Sequence, residues 1–173
     1  LHPFIRNAVG SMEFGGCFLN KRLNRNNDGG TTRRTTDIFQ LATTVLFQNP
    51  VQNFALAPNN LKDVSPVCVD YMKTVPTTWD ETRFIEGYPG KYIVLARRHG
   101  DTWYVAAVNA GSEPLKLKFD LDMFAGKTVS LYKDDKRGEP QLIPLKVKEK
   151  GRVQLEVYPQ GGIVLSDRIE ETL

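Results

Sequence analysis

The stretch TTWDETRFIEGYPGKYIVLARR, residues 77–98, lies where the hydrophobic pattern of the chain changes. Upstream of it, apolar residues recur at the 3.6-residue period of a helix that packs on one face. Downstream, apolar and polar residues alternate or form short apolar runs, as they do in β-strands. The run at 92–96, inside the stretch, predicts a central strand. The sequence therefore predicts a boundary near residue 75 between a helical first part and a strand-rich second part.

The first part contains one well-marked amphipathic helix, predicted over 36–47 with Thr35 or Thr36 as its cap. The apolar positions of this helix fall at i, i+3, i+4, i+7 and i+8: Ile38, Leu41, Ala42, Val45 and Leu46. A second, short helix is predicted over 66–73, with Ser65 as its cap and a proline at its first position. A strand is possible at 7–14.

The second part predicts about eight short strands between residues 82 and 166. Strict alternation at 115–121 and 153–157 indicates half-buried strands, and the continuous apolar runs at 92–96 and 103–108 indicate central ones. Turn signals separate them regularly: Pro89-Gly90, Gly100-Asp101, Ala110-Gly111, Gly126, Gly138 and Gly151. This spacing is typical of an antiparallel β-sandwich.

Composition argues against several classes of function. The chain has 23 Lys and Arg against 20 Asp and Glu, and these charges are spread along it, so a nucleic-acid partner is not favoured. Cys17 and Cys68 have no second Cys or His nearby, so no zinc or iron–sulfur motif is present, and we expect both to be small buried residues. No apolar run approaches the roughly 18 residues of a membrane span.

Carboxylates gather around a tryptophan at the start of the quoted stretch. Asp80 and Glu81 follow Trp79, and Glu86 is close behind. Two carboxylates beside an aromatic ring are what a glycoside-cleaving site needs, so these residues are candidate catalytic acids. Because Arg83 is adjacent, a salt-bridged turn with a buried tryptophan is the favoured interpretation.

Three segments carry a resemblance to a known family. In order, PFIRNAVGSMEF (3–14), TTDIFQLATTVLFQNPVQNFA (35–55) and VPTTWDETRFIEGYPGKYIVLARRHGDTWYVAAVNAG (75–111) resemble the C-terminal part of glycoside hydrolase family 97. These bacterial enzymes include α-glucosidases and α-galactosidases. From residue 112 onward only the strand pattern agrees.

The resemblance implies a fold and a domain division. Family members consist of an N-terminal β-sandwich, a central (β/α)8 barrel and a C-terminal β-sandwich. The chain would then be mixed α and β, with 1–75 as the last unit of the barrel and 76–173 as an antiparallel β-sandwich. Because such a helix packs against the rest of its barrel, we expect the apolar stripe of 36–47 to stay uncovered in this segment alone.

The resemblance also implies an activity. The chain would be part of a longer, exo-acting glycosidase that removes terminal α-galactosyl, α-glucosyl or similar pentosyl residues from oligosaccharides. The catalytic carboxylates and the ligands of a calcium ion would lie upstream, so this segment alone would be inactive. Its partners would be the oligosaccharide and the upstream barrel and sandwich, and the resemblance implies a periplasmic or exported bacterial protein.

Arg6, Asn7 and Glu13 are the candidate substrate-binding residues. They flank the strand that would be the last of the barrel, and barrels of this type keep their chemistry at the C-terminal ends of their strands. The family commonly has Asp-Tyr-Thr-Pro where this chain has EFGG at 13–16, which lengthens the acid and removes a phenol. The structural alternative makes Glu13 a rim residue and places Arg6 in a buried ion pair.

A competing hypothesis makes the chain a non-catalytic carbohydrate-binding or structural β-sandwich. Such a module would need an exposed, planar aromatic platform for a sugar ring. Trp103, Tyr104 and Tyr132 are the candidates for that platform.

Overall fold

The computed structural model of the chain describes residues 1–14, 17–22, 28–56 and 58–168, with only the backbone at 59 and 60. The elements of the first part are α1 (Arg6–Val9), β1 (Cys17–Phe18), α2 (Asp37–Leu46), β2 (Phe54–Ala55), a 3₁₀ helix (Pro58–Lys62) and α3 (Pro66–Met72). Those of the second part are β3 (Glu81–Tyr88), β4 (Tyr92–His99), β5 (Thr102–Asn109), β6 (Leu115–Asp120), a 3₁₀ helix (Asp122–Phe124), β7 (Thr128–Asp134), β8 (Pro140–Lys146), β9 (Arg152–Val157) and β10 (Gly162–Ser166). The described chain is thus mainly β, with few helices.

The largest element is an antiparallel six-stranded sheet in the order β3-β4-β5-β10-β7-β8. Strand β10 lies at its centre, between β5 and β7. The β3–β4 hairpin turns at Gly90, whose φ of 79° lies in the left-handed region that glycine adopts readily. Strand β3 forms one edge of the sheet and carries a bulge between Phe84 and Glu86.

A second, two-stranded antiparallel sheet of β6 and β9 covers one face of the large sheet. The core between them includes Val94, Val105, Leu117, Phe124, Val153, Leu155 and Leu165, all buried. Alternate residues of β6 and β9 enter this core and the others face solvent, as the sequence pattern predicts. The predicted antiparallel β-sandwich is therefore confirmed.

The other face of the large sheet is covered by α2. Its apolar stripe, Ile38, Leu41, Ala42, Val45 and Leu46, is at most 1% exposed and packs with Leu95, Tyr104, Ala106 and Val164 of the sheet. The expectation that this stripe needs other parts of a barrel to cover it is wrong. The physical reason is that the central strands are apolar on both faces, so the sheet offers α2 a surface to bury against.

The N-terminal segment also differs from expectation. The strand predicted at 7–14 does not form: α1 occupies Arg6–Val9, and no regular element follows it up to residue 14. A barrel strand needs a neighbouring strand on each edge for its backbone hydrogen bonds. Within the described ranges, the parallel pairing of β1 with β2 is the only such ladder near this segment.

Among the described helices, none has the length and apolar character needed to cross a membrane.

Candidate functional site

The carboxylates that follow Trp79 are held by arginines and by backbone. Glu81, at the start of β3, accepts hydrogen bonds from Arg83 Nε at 2.7 Å and from Arg98 Nε at 3.3 Å. These arginines hold the pKa of Glu81 below its usual range, chiefly through the hydrogen bond from Arg83. Asp80 accepts from the backbone N–H of Gly100 at 2.7 Å. Both carboxylates therefore act as cross-strand ties, as the salt-bridged interpretation predicted.

Glu86 has a similar structural role. Its Oε1 accepts a hydrogen bond of 2.6 Å from the hydroxyl of Tyr92 on the adjacent strand. This bond is the main reason that the pKa of Tyr92 is raised. With Asp80, Glu81 and Glu86 each bonded within or beside the β3–β4 hairpin, the geometry does not support a catalytic pair here.

The aromatic residues proposed for a sugar platform are buried. Trp103 is 8% exposed, and the guanidinium carbons of Arg83 and Arg98 lie 4.5 and 5.9 Å from its ring centre. Tyr104 and Tyr132 are 4% and 7% exposed. A planar platform must present a ring face to solvent, so none of the three residues fits the carbohydrate-binding hypothesis.

Trp79 packs on the large sheet. Its ring packs edge-to-face on Tyr104 at 5.4 Å and joins the hydrophobic cluster that contains the apolar stripe of α2. It is partly buried, and its indole Nε1 has no hydrogen-bond partner. This packing agrees with the structural role expected for Trp79 beside a salt-bridged turn, and the ring is less buried than expected.

Sequence reasoning missed Arg97, which lies beneath Trp79. The residue is 2% exposed, its Nη1 donates to the carbonyl of Phe47 at the end of α2 (3.2 Å), and its Nε has no acceptor. Burial lowers its pKa to about 10, so the guanidinium is still charged at neutral pH. The alternation of strand β4 carried the signal, because Ile93, Leu95 and Arg97 share the face that α2 covers.

Sequence reasoning also missed the carboxyl group of Asp134, at the other end of α2. This residue is 2% exposed, and its Oδ2 accepts from the Thr36 hydroxyl at 2.7 Å and from the Gly162 N–H at 3.0 Å. Thr36 in turn caps the helix by accepting from Phe39 N–H at 3.1 Å. Burial raises the pKa of Asp134 to about 6.

No hydrogen bond or ion pair joins the side chains of the three predicted substrate-binding residues, all of which lie in the described part of the chain. Arg6 and Glu13 are exposed, and the side chain of neither makes a hydrogen bond or ion pair with another described residue. Asn7 donates from Nδ2 to the carbonyls of Gly10 at 3.3 Å and Gln48 at 3.5 Å. Its buried Oδ1 has no partner. The binding role of the three residues stays a prediction.

Within the described part of the chain, no three His, Cys, Asp or Glu side chains converge as metal ligands would. Cys17 and Cys68 are buried and unpaired, as expected from the sequence. Burial raises the pKa of the Cys17 thiol to about 12, so it is neutral and unreactive at physiological pH.

Comparison with known proteins gives the chain a family context. A family profile described as "Glycosyl-hydrolase 97 C-terminal, oligomerisation" matches residues 78–166, slightly more than half of the chain. The matched region begins beside Trp79 and ends with strand β10, so it coincides with the β-sandwich described above.

Individual relatives are consistent with this match. A solved beta-arabinopyranosidase is 82% identical with a TM-score of 0.94, over 96% of this chain and 27% of that one. A glycoside hydrolase family 97 enzyme from Pseudoalteromonas sp. strain K8, solved in complex with acarbose, is 26% identical with a TM-score of 0.78, over 95% and 27% of the two chains. A retaining alpha-galactosidase from Bacteroides thetaiotaomicron is 28% identical over 94% of this chain and 26% of its own length. The chain thus spans about a quarter of each relative.

Proposed function

Since the chain belongs to glycoside hydrolase family 97 through its C-terminal domain, we propose that it is part of an exo-acting glycosidase that releases terminal β-arabinopyranosyl residues from oligosaccharides. The observation that carries the proposal is the 82% identity, over 96% of this chain, to a beta-arabinopyranosidase. The other relatives compared above are only 26–28% identical.

The second candidate substrate is a terminal α-galactoside, which the family 97 α-galactosidase supports. The two sugars are closely related, since β-L-arabinopyranose has the ring configuration of α-D-galactopyranose and lacks only its exocyclic hydroxymethyl group. A site built for one can therefore be converted to the other by filling or opening the space of that single group. An α-glucoside differs in the orientation of a ring hydroxyl and is the less favoured substrate.

We further propose a division of labour along the chain. Residues 1–75 would complete the end of a (β/α)8 barrel, and residues 76–173 would form the C-terminal sandwich. The packing of α2 on the sandwich supports a rigid joint between the two. The apolar side chains of Leu1, Ile5 and Val9 are exposed, which supports a contact between the N-terminal segment and the rest of the proposed barrel.

In this proposal the catalytic carboxylates lie outside the described residues. Two carboxylates would act on the glycosidic bond, one as acid and base and one as nucleophile. This is the arrangement of enzymes that retain the anomeric configuration, such as the retaining α-galactosidase relative. A calcium ion near that site would supply positive charge, with ligands from outside this chain. This chain would contribute Arg6, Asn7 and Glu13 at the rim, where they would hydrogen-bond the sugar. The same proposal includes export of the whole protein to the periplasm.

A substrate comparison tests the function. The natural polypeptide that contains this chain should hydrolyse p-nitrophenyl β-L-arabinopyranoside with a kcat/KM at least about tenfold above that for p-nitrophenyl α-D-galactopyranoside. One small substituent in a sugar pocket discriminates by about 10–200-fold. The reverse preference would favour the α-galactosidase, and turnover of neither compound would contradict both candidates.

A further inference from the structure

Two neighbouring side chains, Arg97 and Trp79, each carry a buried N–H donor that has no acceptor among the described residues. Arg97 Nε and Trp79 Nε1 are both inaccessible to solvent and have no hydrogen-bond partner. The Arg97 guanidinium carbon is 5.9 Å from the centre of the Trp79 ring. Both groups can only donate, so the missing partner must be an acceptor. Buried donors without partners are rare in folded proteins because each one costs free energy.

The Arg97 guanidinium also has no counter-charge among the described residues. Its described hydrogen bond goes to a neutral carbonyl, that of Phe47. Desolvation is the one cause of its altered pKa, and no carboxylate of residues 1–14, 17–22, 28–56 or 58–168 offsets the burial. By contrast Arg98, the next residue, projects from the opposite face of the strand and pairs with Glu81 and Asp80. A buried, unpaired charge is strongly unfavourable, and a carboxylate is its usual partner.

The Arg97 guanidinium lies close to the protein surface. Phe47 and Trp79, which contact Arg97, are each partly exposed. A small movement of the Trp79 ring would therefore open the guanidinium to a group arriving from the surface. A planar carboxylate matches the fork of guanidinium donors, and the indole N–H adds one more.

We propose that Arg97 and Trp79 form a carboxylate-binding site, with the guanidinium as the charged receptor and the indole N–H as a second donor. The carboxylate comes either from a side chain of the polypeptide that adjoins this segment, which rests on the function proposed above, or from a free small carboxylate. The chemistry of recognition is the same for both sources.

Formate is a suitable probe, and the two tryptophans make it easy to follow. Titration of the ¹⁵N-labelled chain with sodium formate, at constant ionic strength set by sodium chloride, should shift the Trp79 indole signal in a saturable way. The Trp103 indole is an internal control and should stay in place. Trp79→Phe assigns the signal. An unmoved Trp79 signal, or an equal shift of both, would overturn the proposal.

Variants separate a specific site from general salt effects. Thermal denaturation of the wild-type chain should show a formate-dependent rise in Tm, and this rise should vanish in Arg97→Met. Arg98→Met is the matched control and should keep it. Trp79→Phe preserves most of the ring packing and removes one donor, so formate should bind roughly tenfold more weakly. If Arg97→Met does not fold, Arg97→Lys replaces it and should weaken binding. An undiminished response in an Arg97 variant would overturn the site.

The source of the carboxylate is decided on the longer natural polypeptide. If a side chain of that polypeptide fills the site, formate should raise the Tm of the 173-residue chain and leave that of the longer protein unchanged. If the ligand is a free carboxylate, both should respond. Since no arm measures glycoside hydrolysis, a failure of the proposed activity leaves the formate result intact, and the reverse also holds.

Discussion

At the scale of single residues, burial sets the ionisation of Asp134. Its carboxyl group accepts two hydrogen bonds, yet desolvation and the nearby charge of Asp37 raise its pKa from 3.8 to about 6. The folded protein therefore binds this proton more tightly than the unfolded chain does. The stabilising contribution is complete below about pH 4 and is lost as the pH rises through 6.

Asp134→Asn should remove this dependence. The amide oxygen can still accept from Thr36 and Gly162, but the side chain cannot ionise. Between pH 4 and pH 7, the free energy of unfolding of the wild type should fall by about 2–3 kcal/mol relative to that of the variant. Urea denaturation of both proteins across this range measures the difference. Parallel pH profiles would show that Asp134 has an ordinary pKa.

Trp79 should matter for stability more than for substrate. Its ring packs on Tyr104 of the sheet and against the hydrophobic cluster that includes α2, so Trp79→Ala should cost about 3 kcal/mol and lower Tm by about 10 °C, with KM of the folded enzyme nearly unchanged. Trp79→Phe is the matched control, because it retains most of the ring and should cost far less. An unchanged Tm with a greatly raised KM in Trp79→Ala would place the residue on the sugar.

Sequence reasoning succeeded for residues whose neighbours in sequence are also their partners in space. Glu81 and Arg83 are two positions apart on one strand, so their pairing was visible from the sequence. Arg97 and Asp134 depend on α2, which is distant in sequence and covers them only after folding. A polar residue on a buried face can be recognised from alternation only when the packing of that face is known.

At the scale of elements, the contact between α2 and β10 depends on a glycine. A Cβ on Gly162 would lie 2.8 Å from the carbonyl oxygen of Ile38 and 2.9 Å from Cα of Phe39. Both are backbone atoms in the first turn of the helix, so they cannot move aside without shifting α2. The small size of Gly162 therefore sets how closely the helix approaches the sheet.

Gly162→Ala should lower the free energy of unfolding by about 1–3 kcal/mol, the range for overpacking a well-packed core. Chemical denaturation checks the value. Gly10→Ala is the matched control, since a Cβ at Gly10 would meet no atom within 4 Å and should change little. Equal stability of the two variants would mean that α2 can slide on the sheet at no cost.

The sequence predicted the type of most elements and the partner of few. Period-3.6 and period-2 patterns correctly gave α2 and the sandwich strands. The pattern could not show that α2 packs on the sandwich. An apolar stripe indicates that one face of a helix is buried, but it does not indicate which element covers that face. The strand expected at 7–14 failed for a related reason, since a short polar-apolar run adopts strand structure only beside other strands.

At the scale of the whole molecule, the proposed role of this chain is to support the catalytic part of a glycosidase. Its three conspicuous carboxylates, Asp80, Glu81 and Glu86, tie the β3–β4 hairpin together, and α2 fixes the preceding segment to the sandwich. The proposed function rests on similarity to known proteins, because the described residues contain no arrangement from which glycoside hydrolysis could be derived.

The most direct test is the activity of the natural polypeptide with Asp80→Asn, Glu81→Gln and Glu86→Gln introduced singly. Assayed on p-nitrophenyl β-L-arabinopyranoside and corrected for the folded fraction, each variant should keep a kcat within about threefold of the wild type, whereas loss of a catalytic acid or base costs about 10²–10⁴-fold. The 173-residue chain alone should show no turnover. A loss of that size in any variant, or turnover by the isolated chain, would contradict the account and place the chemistry in this segment.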